Sequence, residues 1–213
     1  LAKTMYRIKE IFLTKQGEGY HTGRKSIFIR FSGCNLWNGL EKDRHKAICN
    51  WCDTDFIGTG GINGGIYSID KIINKIRDLW PKNIREKPFV VCTGGEPLLQ
   101  LDQAFVDEIH KNGFKIAIET NGTCHPPNNI DWICVSPKSN TSLVIKSGDE
   151  LKFVYPQIDF EPQQFEKFSF NHFFIQPMDG NNYNENKIKS KDFVKNNRQW
   201  KISLQMHKIL GFP

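Results

Sequence analysis

The feature that most constrains the fold of this chain is an alternation of strand-like and helix-like segments along most of its length. Apolar side chains recur at helical spacing between several of the strand-like runs, as in Leu101, Phe105 and Ile109. Such alternation is typical of βα units built around a parallel sheet. The runs rich in β-branched and aromatic residues, which are predicted strands, span residues 6–12, 26–31, 89–92, 115–119, 131–135, 150–155, 172–176 and 199–205.

Helix signals and length narrow the fold further. A helix face behind a predicted Ser68 cap carries Ile69, Ile72, Ile73, Ile76 and Trp80. Two more helices are predicted at residues 161–168 and 184–197. The 213 residues suit one domain but fall short of the roughly 250 residues of a full (β/α)8 barrel. We therefore predict an α/β fold with a parallel sheet, an incomplete TIM-like barrel, as a single domain over residues 6–213.

Composition excludes two classes of protein. The chain is 38% hydrophobic and 24% charged, which is too apolar for a disordered chain, and it lacks the roughly 20 consecutive apolar residues of a membrane helix. Its first residues lack the apolar segment of a secretory signal, so a cytoplasmic protein is predicted. Because the chain starts with Leu1, residues 1–5 are interpreted as an added or disordered start, with Met5 as the natural first residue.

The net charge of +6, from 29 Lys and Arg against 23 Asp and Glu, raises the question of nucleic-acid binding. The basic residues are interspersed with acidic ones, and the densest stretch, residues 187–201, suits a solvated helix face. A modest positive charge fits an anionic small-molecule substrate equally well. We expect neither a nucleic acid nor a membrane as a partner.

The cysteines form two groups. Cys34, Cys49 and Cys52 share one short polar stretch that includes a CxxC pair. Cys92, Cys124 and Cys134 are dispersed, and we interpret them as ordinary buried or half-buried side chains. Three thiolates can hold three corners of a four-iron, four-sulfur cluster, whereas a structural zinc ion needs a fourth ligand, for which His45 and Asp53 are the candidates. Spacing alone leaves both metal sites open.

Polar motifs follow the predicted strands at their C-terminal ends. In a βα barrel these ends lie on one face, where active sites are built. Six segments are therefore predicted to converge on one site: Gly33-Cys34, Thr93-Gly94-Gly95-Glu96-Pro97, Glu119-Thr120-Asn121-Gly122, Ser136-Pro137-Lys138, Gln176-Pro177-Met178-Asp179 and Gln205-Met206-His207.

The Gly94-Gly95-Glu96-Pro97 segment bears on the metal question. Two glycines allow the backbone to approach a ligand closely, and a carboxylate beside them can accept hydrogen bonds from a ligand ammonium group. Such an arrangement suits the amino-acid end of S-adenosylmethionine. Taken alone, the segment also fits a plain turn that ends a strand.

Together these residues resemble the radical S-adenosylmethionine superfamily and, within it, the family of 7-carboxy-7-deazaguanine synthases. The resemblance covers Tyr6 to Pro213, and its ordered motifs are residues 16–19, 30–37, 52–56, 92–97, 119–122, 136–138, 176–180 and 207–213. It implies a partial barrel of the radical S-adenosylmethionine type.

The chain departs from the superfamily pattern in its cluster motif. The superfamily's CxxxCxxC spacing is replaced by fourteen residues, 35–48, between Cys34 and Cys49. We expect a short solvent-facing helix to close this polar insert, an arrangement that a subset of the synthase family resembles. Lys15, where the family commonly has an apolar residue, is a smaller departure.

The resemblance implies the chemistry and the partners. A [4Fe-4S] cluster reduces S-adenosylmethionine, and the resulting 5'-deoxyadenosyl radical takes hydrogen from 6-carboxy-5,6,7,8-tetrahydropterin. Ring contraction with loss of ammonia then gives 7-carboxy-7-deazaguanine, a precursor in queuosine biosynthesis. Mg²⁺, a one-electron donor such as a flavodoxin, and a homodimer are implied as well.

Residue roles follow from the same resemblance. Cys34, Cys49 and Cys52 are implied as cluster ligands and Thr54 as a Mg²⁺ ligand, while Glu119 and Asn121 lie near the cofactor without an assigned role. The implied S-adenosylmethionine contacts are Trp51, Cys52, Asp53, Gly95, Glu96, Ser136, Pro137, Lys138, Gln176, Pro177, Met178 and Asp179. The implied substrate contacts are Leu13, Thr14, Lys15, Gln16, Glu18, Arg30, Thr93, His207 and Pro213.

Two other classes share some of these features. A glycyl-radical activating enzyme would have the cluster, the Gly-Gly-Glu-Pro segment and the partial barrel, but it should carry the shorter CxxxCxxC spacing. A zinc-bearing RNA-binding module would account for the cysteines and the positive charge without redox chemistry.

Overall fold

The computed structural model describes residues 4–213. Residues 1–3, which belong to the predicted N-terminal extension at residues 1–5, lie outside the described residues. The strands are β1 (Tyr6–Lys15), β2 (Lys25–Phe31), β3 (Gly65–Tyr67), β4 (Phe89–Thr93), β5 (Lys115–Thr120), β6 (Trp132–Val135), β7 (Ser147–Tyr155), β8 (Ser169–Pro177) and β9 (Trp200–Ile202). The α-helices are α1 (Ile69–Leu79), α2 (Gln103–Lys111), α3 (Tyr183–Asn196) and α4 (Met206–Leu210).

Within the described chain, all of these strands belong to one sheet, in the order β3-β1-β2-β4-β5-β6-β7-β8-β9. β1 pairs antiparallel with both β2 and β3. From β2 to β9 every neighbouring pair is parallel. The sheet ends at β3 on one edge and β9 on the other, so it does not close. The predicted α/β fold class, an incomplete TIM-like barrel with a parallel sheet, is confirmed.

Apolar side chains place the first two helices against the sheet. α1 buries Ile72, Ile73 and Ile76, and α2 buries Phe105 and Ile109, in one core with apolar residues of β1, β2, β4 and β5. Because these positions recur at helical spacing, burying one stripe of each helix removes much of its apolar surface from water.

The helix starts differ in their capping. Asp102 caps α2, since its carboxylate accepts a hydrogen bond from the N–H of Phe105 at 2.9 Å. Ser68 occupies the corresponding position before α1, but its side chain makes no capping hydrogen bond.

Three segments differ from the sequence prediction. Residues 161–168 form only a 3-10 helix at Pro162–Phe165. The proline favours a helix start, and Phe165 packs in a second apolar core with Leu151 and Phe153, which holds this one short turn in place. The edge strand β3 is not among the predicted strands. The last strand stops at Ile202 rather than residue 205, and α4 follows it, with Gly211 at φ +70° as its C-terminal cap.

No helix in residues 4–213 combines the length and the apolar character that crossing a bilayer requires.

Candidate functional site

A cavity of about 470 Å³ lies where the parallel strands end. Arg30, Thr93 and Thr120 reach it from the ends of β2, β4 and β5, and Lys152 and Gln176 reach it from β7 and β8. Its volume falls in the range of roughly 300–1,000 Å³ that is usual for small-molecule sites. The wall includes residues from all six strand-end segments singled out in the sequence.

Most of the predicted site residues line this cavity. They are Thr14, Lys15, Gln16, Glu18, Arg30, Cys34, Cys49, Trp51, Cys52, Asp53, Thr54, Thr93, Gly95, Ser136, Lys138, Gln176, Pro177, Asp179, His207 and Pro213.

Four predicted residues do not line it: Leu13, Glu96, Pro137 and Met178. Leu13 packs against the first core. Pro137 is buried, and its carbonyl accepts a hydrogen bond from Gln157 Nε2 at 3.1 Å. Met178 contributes backbone bonds, donating its N–H to the carbonyl of Tyr155 at 2.8 Å.

The fourteen-residue insert returns Cys49 to the neighbourhood of Cys34. A 3-10 helix at Glu41–Lys46 occupies its middle, as the expected short helix would. The N–H groups of Ile48 and Cys49 both donate to the carbonyl of Leu36, at 3.0 and 3.4 Å. These bonds close the insert into a loop whose two ends meet beside the cavity.

Arg44 fastens this loop to the CxxC segment. Its guanidinium lies 4.1 Å from the centre of the Trp37 ring and donates to the carbonyls of Asn50 and Cys52, each at 3.0 Å. Trp37 is itself buried edge-on against Phe56. The insert is therefore a packed part of the site's wall.

The three cavity cysteines have different environments. The N–H of Leu36 points at Cys34 Sγ at 3.4 Å, although burial raises the pKa of the Cys34 thiol. Cys49 donates a hydrogen bond to Cys52, which lowers the pKa of Cys52 to about 6 and raises that of Cys49. Within this pair, Cys52 is therefore the thiol that ionises first.

Cys92, Cys124 and Cys134 do not line the cavity. Cys92 and Cys134 are buried within β4 and β6. Burial raises the pKa of both thiols, as expected for inert core cysteines.

The donor set fits a cluster better than a zinc ion. Among the described residues, no group of three or more His, Cys, Asp or Glu side chains is arranged around a single metal ion. A closed zinc site needs such a group, whereas the thiolates of a [4Fe-4S] cluster bind different irons. Of the two candidates for a fourth zinc ligand, His45 is exposed and does not line the cavity, and the Asp53 carboxylate binds Lys208 at 2.6 Å.

The Gly-Gly-Glu-Pro segment packs directly against the Gly33-Cys34 segment, the first cysteine loop. A Cβ at position 95 would lie 1.8 Å from the carbonyl oxygen of Gly33, so only glycine fits there. The N–H of Glu96 donates to that same carbonyl at 2.9 Å. Gly95 is thus required by close backbone packing beside Cys34, and Gly94 and Gly95 form part of the cavity wall.

The Glu96 carboxylate is fully buried and directed into the protein. It accepts hydrogen bonds from the hydroxyl of Thr120 at 2.7 Å and from the N–H groups of Asn121 and Leu98 at 2.8 and 3.0 Å. It therefore ties the turn after β4 to the end of β5, and burial raises its pKa. The sequence did not predict this structural role.

Cationic side chains cluster on the cavity side that bears Trp51. Lys138 Nζ lies 5.3 Å from the centre of the Trp51 ring and donates to the Ser136 carbonyl at 2.8 Å. Lys208 of α4 bridges the carboxylates of Asp53 and Asp179, at 2.6 Å from each. Lys208 attaches the C-terminal helix to the CxxC segment, and sequence reasoning missed it.

Another part of the cavity wall is formed by Arg30 and the C-terminal residues. Arg30 is paired with Glu10 at 2.8 Å and donates to the Gly94 carbonyl at 3.2 Å. The Thr14 hydroxyl donates to the Pro213 carbonyl oxygen. α4 rests on the Gln16–Gly19 turn, where a Cβ at position 17 would lie 2.3 Å from His207 Nδ1.

The floor of the cavity carries acids together with one buried lysine, Lys152, which sequence reasoning also missed. Lys152 pairs with Glu18 at 2.5 Å, and Gln205 donates to the other oxygen of Glu18 at 3.1 Å. The sequence feature that could have identified Lys152 is a lysine inside an otherwise apolar strand, Leu151-Lys152-Phe153-Val154. A lysine there is seldom fully buried unless it is paired.

Known proteins resemble this chain in sequence and in fold. Residues 44–160 match the family model of the Radical SAM superfamily. The 7-carboxy-7-deazaguanine synthase of Bradyrhizobium diazoefficiens is 51% identical over 97% of this chain and 98% of that protein. The enzyme of the same name from Burkholderia multivorans is 50% identical over 98% and 99%. The crystal structure of QueE from Escherichia coli has a TM-score of 0.72 and 26% identity, and the match covers 95% of each chain.

Proposed function

Because the chain belongs to the family of 7-carboxy-7-deazaguanine synthases in the radical S-adenosylmethionine superfamily, we propose that its cavity holds a [4Fe-4S] cluster, S-adenosylmethionine and a pterin together. The reaction converts 6-carboxy-5,6,7,8-tetrahydropterin to 7-carboxy-7-deazaguanine with loss of ammonia, a lyase step of queuosine biosynthesis. The observation that carries the site proposal is that one cavity is lined by Cys34, Cys49 and Cys52 and also by the acids and the arginine suited to a pterin.

Cys34, Cys49 and Cys52 bind the cluster, and no fourth cysteine of the described residues lines the cavity. When bound, the cluster supplies the electron that cleaves S-adenosylmethionine into the radical that takes hydrogen from the substrate. The protein's part is to hold both reactants in one cavity. The buried Leu36 and Trp37 support the segments that carry the cysteines.

The S-adenosylmethionine site is proposed beside the cysteines. Lys138, held by Ser136, offers a cation for the methionine carboxylate. Gly94 and Gly95 bring polar backbone to the same wall, and Trp51 offers an aromatic face to the nucleoside. Gln176, Pro177 and Asp179 complete the site, while Pro137 and Met178 act through their backbone.

The substrate site is proposed between β1, β2 and α4. Arg30 has N–H groups left over from its bonds to Glu10 and Gly94, and these can pair with the substrate carboxylate. Gln16 and Glu18 face the pterin's amide and amine. Thr14, Lys15, Thr93, His207 and Pro213 complete the wall.

Thr54 is the proposed protein ligand of Mg²⁺, a hard cation that keeps most of its coordination for substrate and water. It lies on the cavity wall, and its hydroxyl is 3.4 Å from Asp53 Oδ1. We expect Thr54→Val to lower turnover at least about tenfold, as loss of a metal contact does, while cluster content stays at the wild-type level. Initial rates measured across a Mg²⁺ titration check this.

Thr54→Ser, which keeps the hydroxyl, is the matched control and should retain its Mg²⁺ dependence. Unchanged turnover and unchanged Mg²⁺ dependence in Thr54→Val would show that Thr54 does not bind the metal.

Further partners belong to the same proposal. A one-electron donor must reduce the cluster, and a flavodoxin is the class proposed. A homodimer and a cytoplasmic location are proposed as well, from the sequence resemblance.

Anaerobic turnover tests the proposed function. Protein reconstituted with iron and sulfide is given S-adenosylmethionine, a reductant, Mg²⁺ and 6-carboxytetrahydropterin, and the products are identified by mass. We expect 7-carboxy-7-deazaguanine and ammonia. Because substrate and product differ only by ammonia, the hydrogen taken from the substrate is returned, and 5'-deoxyadenosine should accumulate in smaller amounts than the deazapurine. Colourless protein with stoichiometric zinc, or 5'-deoxyadenosine without any deazapurine, would overturn the proposal.

A further inference from the structure

Lys152 is a charged side chain in an unusual position for its type. It lies in β7, is only 4% exposed, and reaches the cavity from the inner face of the sheet. Burying an ammonium group is costly unless opposite charges and hydrogen bonds compensate. The sequence resemblance assigned it no role, so its position in the cavity floor needs a separate explanation.

Two carboxylates surround the Lys152 ammonium. Its Nζ lies 2.5 Å from Glu18 Oε2 and 3.6 Å from Glu119 Oε1. These acids come from distant parts of the chain, the turn after β1 and the end of β5. The lysine is therefore the group that brings them to one place.

Two glutamines each donate a further hydrogen bond to one of these carboxylates. Gln16 Nε2 donates to Glu119 Oε1 at 2.9 Å, and Gln205 Nε2 donates to Glu18 Oε1 at 3.1 Å. Gln16 is itself held by the N–H of Glu18 at 3.1 Å. Each carboxylate still has acceptor capacity, because a carboxylate offers about four lone-pair sites.

The charges in this network support one another. Burial lowers the pKa of Lys152, but the carboxylates of Glu119 and Glu18 outweigh burial and raise it well above its ordinary value. Burial raises the pKa of Glu18, but Lys152 and the hydrogen bond from Gln205 bring it below its ordinary value. The lysine therefore stays a cation and Glu18 stays a carboxylate through the neutral range.

We propose that Lys152 is a positioning residue that holds Glu18 and Glu119 side by side as a pair of acceptors for the N–H groups on the pyrimidine edge of the pterin. This inference rests on the proposed function. A 2-amino-pyrimidinone edge presents adjacent N–H donors, which a carboxylate accepts in parallel. Without the cation, two facing carboxylates would repel each other and take up a proton between them, and each proton taken up removes acceptor capacity.

Other ionisable groups lie near Glu18, Glu119 and Lys152. They influence the charge of the two carboxylates whether or not Lys152 is present. Glu150, from the same strand, has a pKa raised by burial. Cys134 of β6 and Lys138 of the β6–β7 connection interact electrostatically with Lys152. His207 of α4 acts on Glu18, and Asp53 shares Gln205 with it.

The test is the pH dependence of pterin binding by Lys152→Met, a substitution that keeps much of the stem and removes the charge. Dissociation constants for 6-carboxytetrahydropterin are measured by anaerobic calorimetry from pH 6 to pH 8.5, on cluster-loaded protein with S-adenosylmethionine and no reductant. Each value is divided by the wild-type value at the same pH, so that pH effects common to both proteins cancel.

We expect Lys152→Met to bind the pterin at least about tenfold more weakly than wild type at pH 6. This difference in affinity should shrink as the pH rises, because a carboxylate whose pKa has risen is protonated at low pH and regains its charge at high pH. Adding Glu119→Gln should remove this pH dependence, because the double variant has no pair of facing carboxylates. S-adenosylmethionine affinity should stay unchanged in both.

The outcomes separate the two proposals. Failure of the wild type to bind the pterin would overturn the proposed function and this inference together. If the wild type binds the pterin and Lys152→Met binds it equally tightly, or more weakly by the same factor at every pH, only the role of Lys152 is overturned. If Lys152→Met does not fold, the double variant Glu119→Gln/Lys152→Met is tested in its place. A folded double variant whose binding relative to wild type does not depend on pH supports the proposal. A double variant that does not fold shows that Lys152 is needed for the core and overturns the proposal.

Discussion

Replacing Cys34, Cys49 or Cys52 by alanine is expected to abolish both the iron-sulfur cluster and the cleavage of S-adenosylmethionine. In the proposed site each thiolate binds its own iron, and no other cysteine of the described residues lines the cavity to take its place. The loss should be complete rather than graded. Iron and sulfide content, the visible absorption of the reconstituted protein and 5'-deoxyadenosine formation measure it.

The remaining cysteines provide matched controls. Cys92→Ala, Cys124→Ala and Cys134→Ala remove thiols that do not line the cavity, so these variants should keep the cluster and lose only about 1 kcal/mol of stability. Cys49→Ala is the critical variant, because the fourteen-residue insert between Cys34 and Cys49 departs from the CxxxCxxC spacing of the superfamily. A full four-iron cluster in that variant would contradict its assignment.

Glu96→Ala should cost about 3 kcal/mol or more in the free energy of unfolding. The substitution leaves the buried donors of Leu98, Thr120 and Asn121 without their acceptor, and each unsatisfied buried group costs about 1–3 kcal/mol. It also releases the turn that carries Gly95 beside the first cysteine loop. Denaturant unfolding of the metal-free protein, followed anaerobically, measures the change.

Glu86→Ala is a suitable control for that measurement, because Glu86 is exposed and surface substitutions usually change stability by less than about 0.5 kcal/mol. The role of Glu96 as a ligand of the methionine ammonium group stays a prediction, and its hydrogen bonds add a structural role. Unchanged stability combined with weakened S-adenosylmethionine binding in Glu96→Ala would favour the predicted ligand role.

The fold was predictable because its signals are local. The apolar spacing of Ile72, Ile73 and Ile76 predicts α1, and the β-branched run at Phe89–Thr93 predicts β4. The segment with Pro162 was predicted too long because its apolar pattern is helical, although it forms a single 3-10 turn. α4 was missed because five residues carry too little periodicity to be distinguished from the end of a strand.

The site was predictable only in part, for a different reason. Strand-end motifs and the cysteine spacing identify which segments meet, since parallel strands end on one face. They do not show which way a side chain points. Glu96 is directed into the protein. Lys152, which belongs to no motif, and Lys208, which lies in the C-terminal motif without a predicted role, join acids that are 134 and 155 residues away in the chain. Such long-range ion pairs depend on the final register of strands and loops, which the sequence pattern does not specify.

The most direct test of the whole account is to follow hydrogen from the substrate to the cofactor. 6-Carboxytetrahydropterin deuterated at its ring carbons is incubated anaerobically with the reconstituted protein, S-adenosylmethionine and a reductant, and the masses of the recovered S-adenosylmethionine and of any 5'-deoxyadenosine are measured. Substrate and product differ only by ammonia, so the hydrogen taken from the substrate returns to the product and S-adenosylmethionine is re-formed. We predict deuterium in the recovered S-adenosylmethionine and in any 5'-deoxyadenosine, together with 7-carboxy-7-deazaguanine, and neither label transfer nor deazapurine with Cys49→Ala. Deazapurine formed without label transfer, or deazapurine formed by the Cys49→Ala protein, would contradict a cavity in which the cysteine cluster and the pterin react together.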